Sequence, residues 1–312
     1  MKAIVINEYG GKEQLTEEQI DRPEPENDEI VIEIYSTSVN PIDWKLREGY
    51  LKDMLPYDFP IILGWDAAGV VRDTGDDVHK FKKGDRVFTR SANNNRGTYA
   101  EYVKTTENRT AFMPEDMSFD EAAAVPLAGQ TAWQCLVEFA EMKAGDKVLI
   151  HGGGGGVGHF AVQIAKSFGA HVIATASAEK AETLKDLGVD EVIDYKTEDF
   201  EKIVTDADIV LDTIGGDVLE KSYSVLKKGG KLPSIAGQPD QEKADKYGVK
   251  AGSVWLEESG ERLQKLADLY AQGKLKVLID STFPLSEEGV QEAHAASEKG
   301  RARGKIVIQV KS

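Results

Sequence analysis

At 312 residues the chain exceeds what one hydrophobic core ordinarily serves, so two domains are expected. Its formal charge of -16, from 54 acidic and 38 basic residues, opposes binding to nucleic acid and anionic membrane surfaces, which require clustered Lys and Arg. No apolar stretch approaches a bilayer span, and the lone cysteine, Cys135, excludes an intrachain disulfide and a multi-cysteine metal cage; a soluble, cytoplasmic protein is expected.

The opening residues, MKAIVINEYGG, read as a strand and lack the apolar block and cleavage site of an export signal. Short apolar or β-branched runs follow to about Asn108: EIVIEIYSTS, AGVV, DRVF and TYAEYV, with turn chemistry at Asn40-Pro41, Thr74-Gly75 and Lys83-Gly84-Asp85. This pattern predicts a compact, mostly β domain. After Pro114 the period changes. Ser118 and Glu121 form a capping box, and residues 118–140 carry Ala, Leu, Val and Trp at helical spacing.

Strand and helix then alternate. Residues 147–151, 171–175, 191–195, 209–212 and 231–236 are apolar strand candidates, with 254–256 a candidate sixth, and helices at 157–168 and 179–187 close on Gly169 and Gly188. Near-continuous apolar strands are buried on both faces, which predicts an α/β fold with a doubly wound parallel sheet. The C-terminal segment holds a helix at 261–272, the run KVLIDSTFPL, a further helix and the strand KIVIQV, and so resumes the character of the first domain. The expected division is 1–118 with 260–312 as one domain and 119–259 as the other.

After His151 come Gly152, Gly153, Gly154, Gly155, Gly156, Val157 and Gly158, and within this run Gly153, Gly155 and Gly158 satisfy G-x-G-x-x-G. A flexible linker has a similar composition, but a linker would not stand between the strand KVLIH and the helix VGHFAVQIAK. In that setting the first glycine makes the turn, the second admits a pyrophosphate to the backbone, and the third lets helix and strand pack closely. Helix N-terminal amides then hold the phosphates.

The second strand ends Thr175-Ala176-Ser177, without the carboxylate that accepts hydrogen bonds from an NAD ribose. The Ser177 hydroxyl and Lys180 would suit a 2′-phosphate, which favours NADPH. Ser177 also fits a helix N-cap and Lys180 a solvated charge, and Glu179 stands beside them. Asp212-Thr213 and Ala236-Gly237 end the fourth and fifth strands at the carboxyl edge, where ligands of such sheets bind.

Taken in order, SVNPIDWKLREG, GWDAAGVV, GDRVF, GTYAEYV, AAAVPLAGQTAWQ, the glycine loop, LGVDEVIDY, DTIGG and RGKIVIQV resemble the zinc-independent quinone oxidoreductase branch of the medium-chain dehydrogenase/reductase superfamily, nearly end to end. The resemblance implies a mostly β, GroES-like catalytic domain formed by both chain ends, a Rossmann domain between them, and a homodimer. It implies that Asn40, Ile42, Asp43 and Trp44 line the nicotinamide and substrate side, and that Thr131 faces the nicotinamide ribose and phosphate. Gly155, Gly156 and Val157 would lie at the pyrophosphate, and Ser177, Lys180 and Tyr195 round the 2′-phosphate. Two departures stand out: the branch usually has Ala within the loop, and residues 239–248 are short and highly charged.

Zinc-containing relatives carry Gly-His-Glu where this chain has Gly64-Trp65-Asp66, and Cys where it has Asn40 and Leu127. The remaining His and Cys do not stand at any recognised ligand spacing, so metal-free chemistry is expected. Cys135, in an Ala- and Trp-rich helix, reads as a small buried hydrophobe. Without a Lewis acid the site can present nicotinamide to an electron-poor carbon, so a small electrophile is expected as substrate: an enal, enone or quinone. Asn40 is the candidate oxyanion donor or nicotinamide orienter, although Asn before Pro often only makes a turn. Asp43 would position Lys45 or a backbone amide, Trp44 would stack near the ring or pack in a wall, and Tyr50 is a candidate acid. Two other functions fit the same pattern, an NADP-dependent alcohol or aldehyde oxidoreductase and a non-catalytic NADPH-binding sensor.

Overall fold

The structure, a computed structural model, describes Met1–Lys311 and divides into two compact units. One comprises Met1–Gln130, Glu258–Gln272 and the chain from Val277 onward; the other comprises Thr131–Glu257 and Gly273–Lys276. The cut after Gln130 follows from packing: Phe119 stacks on Tyr35 with centroids 4.2 Å apart, and Asp120 accepts from Ser36. These contacts fix helix Phe119–Ala124 to the first unit. Gly273–Lys276 belongs to the second because the Gln163 amide bonds both the carbonyl and the N–H of Lys276.

In the first unit the long strand Glu29–Val39 pairs antiparallel with Asp66–Thr74, with Tyr102–Thr106 and with the terminal strand Lys305–Gln309. Ile30, Ile32 and Ile34 pack with Val71, Phe81 and Val87. A second cluster gathers Ile4, Ile6, Leu63, Trp65 and Tyr99 with Ile306 and Ile308 of the terminal strand, so the chain end completes a core begun by its first residues. The run expected to be one strand from Thr98 starts pairing only at Tyr102, because Tyr99 and Ala100 turn to Ile4 and Ala3 of a smaller sheet. Asn40-Pro41 is not a turn between strands. Asn40 caps the helix Pro41–Arg47, with Pro at its first position, where a missing N–H costs nothing.

The second unit is a six-stranded parallel sheet. Its strands, in chain order Lys147–Ile150, His171–Ala176, Glu191–Asp194, Ala207–Leu211, Leu226–Ser234 and Lys250–Ser253, lie in the spatial order 3-2-1-4-5-6. That is the doubly wound order of a dinucleotide-binding sheet, with the switch point beside the first strand. The sixth strand sits earlier than the expected 254–256, because the register is set by Lys231 opposite Lys250 and Ser234 opposite Ser253. The helical stretch expected at 118–140 is broken: Phe119–Ala124, Pro126–Trp133 and a wider π segment at Gln134–Phe139 follow one another. Pro126 cannot continue the preceding hydrogen-bond ladder, so it opens a new helix.

Candidate functional site

In the second unit the glycine run turns from the first strand into helix Gly158–Ser167. Gly152 has φ +67, a left-handed conformation open to glycine at no steric cost. A Cβ on Gly158 would stand 2.2 Å from the Gly152 carbonyl oxygen, so turn and helix pack backbone on backbone. Gly155 leaves more room, its nearest atom being that same oxygen at 3.3 Å. Gly155, Gly156 and Val157 are partly exposed at the start of the helix; the Gly155 N–H is spent on Gly152 O at 2.9 Å and the His159 N–H on Gly155 O at 3.2 Å, which leaves the Gly156 and Val157 amides as the open donors. Bare backbone followed by unspent donors is a cradle that fits a pyrophosphate.

A buried network pins the turn. Ser222 donates its hydroxyl proton to Val218 O at 2.6 Å, so it accepts from His151 Nε2 at 3.0 Å. The Nδ1 atom of His151 therefore accepts from Thr175 Oγ1 at 3.2 Å, and Thr175 accepts in turn from the Gly152 N–H at 3.2 Å. Burial keeps this histidine neutral, pushing its pKa down to about 4 against a smaller upward pull from Asp212. Thr213 donates to His151 O at 2.7 Å. Asp212 accepts from the N–H groups of Ile214 and Gly215 and from Ser234 Oγ; Ser234 in turn accepts from the N–H groups of Ala236 and Gly237. The strand-end residues singled out in the sequence thus form one tied set of turns.

At the end of the second strand, Ser177 precedes a short helical turn but makes no side-chain capping bond. Lys180 reaches over the loop, with Nζ 3.3 Å from Gly154 O. A Cβ on residue 154 would meet Lys180 Cδ at 2.6 Å, so glycine at this position leaves the Lys180 side chain its path across the loop. Tyr195 is exposed, its N–H bonded to Ala176 O at 3.3 Å. Thr131 is buried in helix Pro126–Trp133.

In the first unit the expected catalytic residues fall on one helix start. The Asn40 N–H donates to Asp43 Oδ2 at 2.8 Å, which is the backbone-amide alternative for Asp43. Tyr99 OH donates to that same oxygen at 2.7 Å, while Asp43 Oδ1 is buried without a partner. Burial raises the Asp43 pKa to about 7 against the lowering effect of those two donors. Behind Tyr99, His294 Nε2 lies 3.2 Å from the phenol oxygen, and Arg47 Nη1 lies 3.1 Å from His294 Nδ1. Because Tyr99 gives its proton to Asp43, donation runs from Arg47 through His294 and Tyr99 to Asp43. Burial and the Arg47 charge push His294 down to about 3.

The Asn40 side chain faces a second group. Its Nδ2 donates to Asp66 Oδ2 at 2.8 Å, and its Oδ1 accepts from the Lys305 ammonium. Asp66 also accepts from Ser38 Oγ at 3.0 Å and from the Leu127 N–H at 2.9 Å. Trp44 stands edge-on to Tyr50 with its indole N–H buried and unpartnered; Tyr50 itself is exposed, and Ile42 packs against the core. Cys135 is buried, which pushes its thiol up. Sequence reasoning missed Lys305, Tyr99, His294 and Arg47. The available signal was thin: a lysine opening the otherwise apolar strand KIVIQ.

Residues 26–115 match the alcohol dehydrogenase GroES-like domain, 135–217 the alanine dehydrogenase/PNT C-terminal domain and 187–308 the zinc-binding dehydrogenase domain. The chain is 36% identical to the chloroplast envelope quinone oxidoreductase homolog of Arabidopsis thaliana, over 99% of this chain and 98% of that protein. It is 35% identical to an NADPH-dependent alkenal/one oxidoreductase of the same plant, over 99% of this chain and 79% of that protein. The solved quinone oxidoreductase of Coxiella burnetii superimposes with a TM-score of 0.93 at 36% identity, covering 100% of this chain and 99% of that one. No helix among the described residues is long and apolar enough to cross a membrane.

Proposed function

Because the chain belongs to the quinone oxidoreductase branch of the medium-chain dehydrogenase/reductase superfamily, we propose that it uses NADPH, without zinc, to reduce a small enal, enone or quinone. The observation that carries this reading is the Asn40 amide. One of its N–H groups is held by Asp66 and its carbonyl by Lys305, so the second N–H remains to stabilise charge on a substrate oxygen.

NADPH, when bound, supplies the hydride that such an acceptor takes at carbon. The second unit provides the dinucleotide site: Gly153, Gly155, Gly156, Val157 and Gly158 at the phosphates, and Ser177, Lys180 and Tyr195 at the adenine-side phosphate. Support for NADPH over NADH comes from the missing strand-end carboxylate, the uncapped Ser177 hydroxyl and the placement of Lys180. The first unit serves as the catalytic domain, and solvent supplies the proton that completes reduction.

Support for zinc independence lies in the donor set. Asn40, Trp65 and Leu127 offer neither thiolate nor imidazole, and Asp66 already serves Ser38, Asn40 and Leu127 beside the Lys305 ammonium at 3.8 Å. A reducing compartment, the cytoplasm, suits the single buried thiol, and we place the chain there as a homodimer.

The test follows NADPH absorbance with methyl vinyl ketone, hexenal and benzoquinone, in parallel with simple alcohols and NADP. Consumption with the electrophiles and none with the alcohols is expected. Turnover of alcohols alone would point to an alcohol oxidoreductase, and flat traces throughout to a cofactor-binding sensor.

A further inference from the structure

Lys305 opens the terminal strand, and its side chain is 3% exposed. An ammonium so deeply placed loses its hydration and persists only with excellent partners. It has three: Asn40 Oδ1, Val39 O at 3.2 Å, and the Asp66 carboxylate at 3.8 Å. Burial drives its pKa down, while Asp66 and Asp43 pull it up.

The two ends of the Asn40 amide are told apart by chemistry. An ammonium can only donate, so the atom it meets must be Oδ1; an ionised carboxylate can only accept, so the atom on Asp66 must be Nδ2. A cation on the amide oxygen also draws electron density from the nitrogen and makes its remaining N–H a stronger donor.

We propose that Lys305 is a positioning residue for the reduction: its ammonium, with Asp66 as counterpart, fixes the orientation of the Asn40 amide and polarises the N–H left for the substrate oxygen. This inference rests on the proposed donor role of Asn40. It assigns a task to a residue 265 positions away in the chain, and it explains why a buried charge is kept where a methionine would pack at lower desolvation cost.

The test is a double-mutant cycle of K305M and N40A on the full chain, read by NADPH oxidation with methyl vinyl ketone and by nitrogen–proton correlation spectra of the side-chain amides. Each single variant should lower kcat by about 100-fold while the NADPH dissociation constant moves by no more than about twofold. The double variant should be no slower than N40A alone, since both act through one amide. In the spectra, the amide pair that disappears in N40A should shift in K305M. Losses that multiply in the double variant, or an Asn40 amide pair unmoved in K305M, would overturn the inference while leaving the donor reading standing. A fully active N40A would overturn the donor reading and this inference with it. If K305M does not fold, K305Q carries the same cycle, because it keeps a donor of similar reach and removes the charge.

Discussion

The glycine turn of the second unit and the Asn40 group of the first are built from different materials. The turn works through backbone: glycines at 152 and 158 exist because a Cβ would collide or a φ would strain, and the ligand would meet amides. The Asn40 group works through buried side chains drawn from distant parts of the chain: position 40, Asp66, Tyr99, His294 and Lys305. A site made of backbone must write itself locally as glycine, whereas a site made of side chains can scatter its members and be joined only by the fold.

The largest expected effect lies on the backbone side. Gly158→Ala places a methyl group 2.2 Å from Gly152 O, and the turn must open to admit it. NADPH affinity, read by fluorescence titration, should fall about 100-fold or more. Unchanged affinity would mean that the turn does not hold the phosphates. The opposite arm is Asn40→Ala, where kcat should fall by about 100-fold with NADPH affinity preserved. A loss confined to NADPH affinity would erase the distinction between the two regions.

Lys180→Glu should weaken NADPH by about 10-fold and NADH much less, because only the former carries a phosphate for that ammonium. Equal weakening of both would remove Lys180 from the phosphate and leave it a brace on Gly154.

How much of this was legible in the sequence follows the same division. The alternation of strands and helices, the glycine motif and the return of the chain end were readable because burial on two faces and backbone crowding leave local patterns. Asn40 was readable only as a candidate, and its turn chemistry turned out to be a helix cap with Asp43 at the third helical position. Tyr99 and His294 leave no local pattern and Lys305 only a lysine opening an apolar strand, since their partners stand far away in the chain. The sixth strand lies at Lys250–Ser253 and not at 254–256 because its register answers to Leu226–Ser234 rather than to its own apolar residues.

Acidity separates the regions more gently. Burial depresses His151 to about 4 and His294 to about 3. A depressed folded pKa gives stability that is present above the ordinary value of 6.5 and lost as the pH falls through the folded value. Urea unfolding should therefore show a loss on the order of 3 kcal/mol from His151 alone across that window. A flat profile would contradict neutral burial. Asp43 has the reverse sign: with its pKa raised to about 7 from 3.8, its contribution is present at low pH and lost as the pH rises through about 7. Asp43→Asn should remove the loss between 3.8 and about 7 at little cost, because both donors already meet one oxygen and the other has no partner. Strong destabilisation at neutral pH would show that the second oxygen has a partner in solution.

The most direct test of a zinc-free reductase is the rate of NADPH consumption with methyl vinyl ketone before and after exhaustive dialysis against a strong chelator. The rate should be unchanged, because the buried cation beside Asn40 and Asp66 is Lys305. A rate that collapses on dialysis and returns with added zinc would contradict the account.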